Sequence, residues 1–97
     1  MTLIKIFRIL VDVFKILWWH FKTFPNYRPE EQCQKIVEEI FEWESEFLKF
    51  DTEKELEELM DVVIASVGAM RFKEVREMVA EKMKANQKRR WKNGHHY

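Results

Sequence analysis

Thirteen of the chain's 17 acidic side chains fall between Pro29 and Asp61, and four of them are spaced so that they can meet. Glu39 and Glu42 lie three residues apart, as do Glu58 and Asp61. On helices each pair occupies one face, and two antiparallel helices can turn the pairs toward each other. Asp61 stands out within Leu59-Met60-Asp61-Val62-Val63-Ile64-Ala65, where Ser66 is the only other polar side chain between residues 59 and 70. A carboxylate in that setting is expected to be at least partly buried, and it then needs a basic partner, a proton or a metal. Four converging carboxylates repel one another unless a cation joins them. Oxygen-only ligation suits a hard ion, Mg²⁺ or Mn²⁺, better than zinc or copper. A carboxylate-bridged di-iron centre wants Glu-x-x-His on two helices, and neither Glu42 nor Glu58 has a histidine three residues on. Glu30, Glu31, Glu53 and Glu57 read as helix starts or solvated faces.

The elements that must position these groups are helical. The 97 residues hold 46% hydrophobic side chains with only two Gly and two Pro, too few turn formers for a sandwich or barrel. One domain, residues 1–97, is expected: an all-α, four-helix bundle-like protomer. Residues 1–24 form a long apolar first helix and 29–50 the second, opened by Pro29-Glu30-Glu31, where proline and acids suit an N-terminus. The third spans 52–72, with Asp51-Thr52 as cap and Glu55 in capping-box position. The fourth spans 73–90, and a tail without periodicity covers 91–97. The second helix carries an apolar stripe of Cys33, Ile36, Ile40, Trp43, Phe47 and Phe50. Ala65 and Gly68 continue the Glu58/Asp61 stripe and leave room for close approach.

Lys5, Arg8, Asp12, Lys15 and Lys22 make one narrow polar stripe on the first helix, which excludes a membrane span. With the rest of that helix apolar and the chain short, self-association into a homodimer or homotetramer is expected to complete the core. The competing reading is a non-catalytic helical oligomer, or a membrane- or partner-binding module that uses this helix. The lone Cys33 fits a reducing cytoplasm and excludes a disulfide framework.

Glu38-Glu39-Ile40-Phe41-Glu42, followed after fifteen residues by Glu58-Leu59-Met60-Asp61, is similar to the EExxE…ExxD signature of the MazG-like all-α nucleoside triphosphate pyrophosphohydrolases. His20-Phe21-Lys22-Thr23-Phe24-Pro25 and Lys82-Met83-Lys84-Ala85-Asn86-Gln87-Lys88-Arg89-Arg90-Trp91 look like small phage and bacterial members of that family, so the resemblance spans roughly residues 18–97. The first helix departs from it, being longer and more apolar before Trp18. The resemblance implies hydrolysis of a (deoxy)nucleoside triphosphate between the α and β phosphates, giving the monophosphate and pyrophosphate. Glu39, Glu42, Glu58 and Asp61 would hold Mg²⁺, with Mn²⁺ as a substitute. Glu38 would orient or deprotonate the attacking water, and Trp19 and His20 would meet the base.

Charge along the chain agrees with such a substrate. Residues 1–28 hold five basic side chains and one acid, residues 29–61 three and thirteen, and residues 62–97 nine and three. Lys82, Asn86 and Arg89 follow i, i+4, i+7 on the fourth helix and, with Arg90, can take the charge of a pyrophosphate leaving group. Lys88-Arg89-Arg90-Trp91-Lys92 attracts phosphates, but the acidic middle opposes a long polyanion, so nucleic acid is not an expected partner. His95 and His96 read as tail residues.

Overall fold

A computed structural model of the protein describes residues 2–49 and 52–96. Four helices follow in order: α1 (Leu3–Thr23), α2 (Pro29–Phe47), α3 (Thr52–Gly68) and α4 (Lys73–Lys88), with a 3₁₀ turn (Ala69–Arg71) between the last two. Helix α1 starts where the Thr2 hydroxyl accepts the Lys5 N–H at 3.3 Å and ends before Pro25, with the Phe24 N–H on the His20 carbonyl at 2.8 Å. Pro29 opens α2 as expected, and Arg28 pairs with Glu31 at 2.9 Å.

Three boundaries differ from the sequence reading. Helix α2 stops at Phe47, before the expected Phe50. Its last turn contains Glu44 and Glu46 and no basic residue, so like charge meets the negative end of the helix dipole. Phe50 and Asp51 lie outside the described residues, and with them the expected cap of α3. Helix α3 ends at Gly68 and tightens into the 3₁₀ turn, not continuing to Phe72. The cause is tertiary. The Arg71 guanidinium reaches back to α1, where Nη1 donates to the carbonyls of His20 (3.0 Å) and Phe24 (2.7 Å) and satisfies the open end of that helix. Phe72, Tyr27 and Phe21 stack around it at 4.7, 5.8 and 5.9 Å. Burial pulls the Arg71 pKa down from its usual value, opposed by Tyr27.

Helix α4 stops at Lys88, two residues early, and the tail is not structureless. Trp91–Lys92 (β1) pairs antiparallel with His95–His96 (β2), Trp91 opposite His96 and Lys92 opposite His95. Asn93 (φ 52°) and Gly94 (φ 79°) both adopt positive φ, the requirement of a type I′ hairpin. The Trp91 indole N–H caps α4 on the Asn86 carbonyl at 2.8 Å.

Helices α2 and α3 form the main packed pair, and α1 lies against α3. The small centre is unusually polar: His20, Gln32 and Glu39 are buried beside Ala65 and Ala69. Gln32 is fully buried, and its amide donates to the Ala65 carbonyl at 2.7 Å. His20, 2% exposed, rests its ring on Gly68, where an added Cβ would overlap the imidazole. The small-residue stripe of α3 therefore receives α1. The expected apolar stripe of α2 coincides with its packed face only at Ile36 and Trp43. That face runs through Gln32, Ile36, Glu39, Trp43 and Glu46, leaving Cys33, Val37, Ile40 and Phe47 exposed.

Helix α4 leaves the 3₁₀ turn on its own course, and the four helices do not close into a bundle within one chain. Leu3, Phe7, Leu10, Phe14, Trp18 and Phe21 of α1 and Met78, Val79 and Met83 of α4 are all exposed. Among the described residues no helix is long and apolar enough to cross a membrane.

Candidate metal centre

Packing α2 on α3 brings Glu39, Glu58 and Asp61 together, with one carboxylate oxygen from each within 4.8 Å of the others. Glu39 is 7% exposed, Glu58 half-buried and Asp61 exposed. The three line up from the interior to solvent, and the expectation of a buried Asp61 is corrected. Its apolar sequence neighbours turn toward other faces of α3, while Asp61 stands at the mouth of a cavity where water can solvate it. That cavity, of about 310 Å³, is bounded by Glu39, Glu42 and Asp61 on its acidic side, Trp19, His20 and Phe24 on its aromatic side, and Lys35, Ile64 and Ala65. Three of the four carboxylates expected to converge form a triad, and the fourth, Glu42, lines the cavity with Glu39 and Asp61.

The charge is already partly met by lysines. The Lys35 ammonium lies 2.7 Å from Glu39, and Lys54 lies 3.4 Å from both Glu57 and Glu58. Both pairs to the cluster, Lys35–Glu39 and Lys54–Glu58, are i, i+4 on their own helices, a spacing visible in the sequence. The hydrogen bond to Glu39 raises the Lys35 pKa against its own burial cost. Glu42 is the perturbed acid. The charge of Glu39 is the largest cause pushing its carboxyl above the ordinary range, followed by desolvation, a hydrogen bond to Glu39 and the charge of Glu58, with Lys35 opposing.

That direction fixes a sign. A carboxyl whose folded pKa exceeds its unfolded one binds more protons in the native state across the window between them, so stability falls as pH rises through it. Urea melts of metal-free protein across and just above the ordinary carboxylate range should show this decline. Glu42→Gln should flatten it. An unchanged slope in the variant would mean that Glu42 does not carry the effect.

The aromatic wall divides by role. His20 holds its Nδ1 against the Ile16 carbonyl at 3.0 Å; that oxygen can only accept, so Nδ1 carries the proton in the neutral ring. With its ring edge-on to Trp19 at 4.9 Å and pressed on Gly68, His20 backs the wall. Trp19, 48% exposed, and Phe24, edge-on to it at 5.5 Å, form the face open to a ligand.

The remaining expected residues lie elsewhere. Glu38 sits in a separate groove with Cys33, Gln34 and Val37, because one residue along a helix turns a side chain by about 100° from Glu39. Lys82 and Asn86 line a groove made only of α4 residues, Val75, Met78, Val79 and Met83 completing it. Arg89 is bonded to Asn86 at 3.1 Å, and Arg90 is exposed. None of these five residues lines the cavity of the carboxylates within the same chain. Lys35 and Phe24 are the cavity residues that sequence reasoning missed.

The donor set fits a hard divalent cation: three carboxylates, graded from buried to open, whose nearest counter-charges are displaceable ammonium groups. Comparison of the chain with protein-family models, with curated proteins and with solved structures finds no match.

Proposed function

We propose that this protein hydrolyses nucleoside triphosphates between the α and β phosphates with the help of Mg²⁺, as its resemblance to the MazG-like pyrophosphohydrolases suggests. The observation that carries the reading is the cluster of Glu39, Glu58 and Asp61, two of which, Glu39 and Asp61, line a cavity with an aromatic wall. Glu39, Glu58 and Asp61 would hold the cation, which when bound neutralises phosphate charge and lowers the pKa of the attacking water. Glu42, beside the triad and with its pKa raised, is better placed than Glu38 to take the proton from that water. Trp19 and Phe24 offer the surface on which a planar base stacks.

A second copy belongs to the reading. The chain exposes 8247 Å², whereas a compact protein of 12.0 kDa exposes about 6,000 Å². Its radius of gyration is 15.7 Å against about 12.5 Å for compact chains of this length. An excess of about 2,200 Å² per chain is what an obligate homodimer buries, and the bare faces of α1 and α4 are where it lies. The same assembly would bring the partner's α4, with Lys82 and Asn86, to a site that lacks them in its own chain.

Incubation with Mg²⁺ and a panel of NTPs and dNTPs, followed by chromatography of the products, tests the activity. Monophosphate and pyrophosphate should form in equal amounts. Asp61→Ala should cost more than about 100-fold, beyond the loss typical of an outer-shell partner. Full turnover in Asp61→Ala, or no turnover of any nucleotide by the parent protein, would sink the reading.

A further inference from the structure

Lys35 is the cationic side chain that lines the carboxylate cavity. It sits one helical turn before Glu39, with Nζ 2.7 Å from Oε1, and its side chain is 36% exposed while that of Glu39 is 9% exposed. Lys54, by contrast, is shared between Glu57 and Glu58 and does not line the cavity. Glu39 is the most buried member of the triad, so its charge depends most on a partner inside the protein. An ammonium on a flexible four-carbon stem supplies one without locking the carboxylate, and it can leave by turning toward the open mouth.

We infer that Lys35 is an exchangeable counter-ion of this site: it neutralises Glu39 in the metal-free protein, is displaced when a divalent cation takes that carboxylate, and then pairs with a phosphate oxygen of the substrate. The inference rests on the metal and phosphate reading above and adds a role for a residue outside the EExxE and ExxD segments. Its physical content is a change of partner. Once Glu39 faces a dication, the ammonium is repelled by that ion, and the polyphosphate entering the same cavity offers it a denser negative charge than the single carboxylates of Glu38 and Glu42 that also act on it. One lysine thus serves the empty site as a substitute cation and the filled site as an anion contact. The two duties have opposite consequences for affinity, which separates them from a merely structural role.

The test uses the full-length chain, with Mn²⁺ alone and then Mn²⁺ with inorganic tripolyphosphate as probes, so that no choice of base and no turnover are required. Free Mn²⁺ is followed by electron paramagnetic resonance and heat by titration calorimetry. Lys35→Met should bind Mn²⁺ about tenfold more tightly, because one positive charge beside a dication has been removed. The same variant should bind tripolyphosphate in the presence of Mn²⁺ about tenfold more weakly, having lost a charge-assisted contact. Lys35→Arg, which keeps the charge, should return both affinities toward those of the parent. Equal Mn²⁺ affinity in the parent and Lys35→Met, or a parallel fall of both affinities, would overturn the inference while leaving the metal site standing. Absence of Mn²⁺ binding by the parent protein would overturn the site itself.

Discussion

Gly68→Ala is expected to be the most damaging single-methyl change in the chain, lowering stability by about 2–3 kcal/mol, at the upper end for overpacked cores. A Cβ at this position would overlap the His20 ring. The ring has nowhere to go: it is 2% exposed, tied through Nδ1 to Ile16 and flanked by Trp19 and Phe24. Relief must come from separating α1 from α3, which would also loosen the Arg71 bonds to His20 and Phe24. For a domain of this size the loss corresponds to roughly 10–20 °C in Tm, a large share of an ordinary folding free energy. Differential scanning calorimetry measures it directly. The double variant Gly68→Ala/His20→Ala should be closer to His20→Ala alone than additivity predicts, because the two residues collide with each other. A Gly68→Ala melt within about 2 °C of the parent would show that the close approach is not rigid.

The second large effect tests the proposed site together with the proposed second copy. Asp61→Ala and Lys82→Ala should each be nearly inactive in nucleotide hydrolysis, yet an equimolar mixture allowed to exchange subunits should regain about a quarter of parent activity in a two-fold dimer. Random exchange makes half of the dimers mixed, and each mixed dimer contains one site with all its carboxylates and its lysine. The expectation follows from Lys82 lining a groove of α4 residues alone while Asp61 lines the cavity between α1, α2 and α3. If Lys82 served its own chain the mixture would stay inactive, and if it served nothing Lys82→Ala alone would keep parent activity. Light scattering on each variant, before mixing, checks that the assembly itself is intact.

These effects also show how far each part of the molecule could be read from residue order. Local geometry was legible. The i, i+3 spacing of Glu39/Glu42 and Glu58/Asp61 sufficed to expect one acidic cluster, since a helical repeat sets which side chains share a face. Pro29 at the start of α2 and the apolar-rich, glycine-poor composition were equally readable. The lysines at Glu39 and Glu58 are legible by the same i, i+4 rule, and the Asn93-Gly94 hairpin by its turn residues.

Other features belong to contacts between distant segments. That Gln32 and Glu39, and not Cys33 and Ile40, face inward reflects a rotation of α2 that satisfies a buried amide on Ala65, a choice no hydrophobic pattern expresses. The end of α3 at Gly68 follows from Arg71 reaching 51 positions back to His20. Which basic residues meet the carboxylates depends on the course of α4, which leaves Lys82 and Asn86 off their own chain's cavity. The sequence alone determined four helices, a divided charge and two carboxylate pairs, each on one helix face, because these follow from short-range periodicity. Only the tertiary structure decided that His20 backs the pocket, that the Lys35–Glu39 pair lies in its wall, and that two apolar helix faces stay bare. Each of these depends on how helices rotate and cross, and residue spacing along one helix does not contain that information.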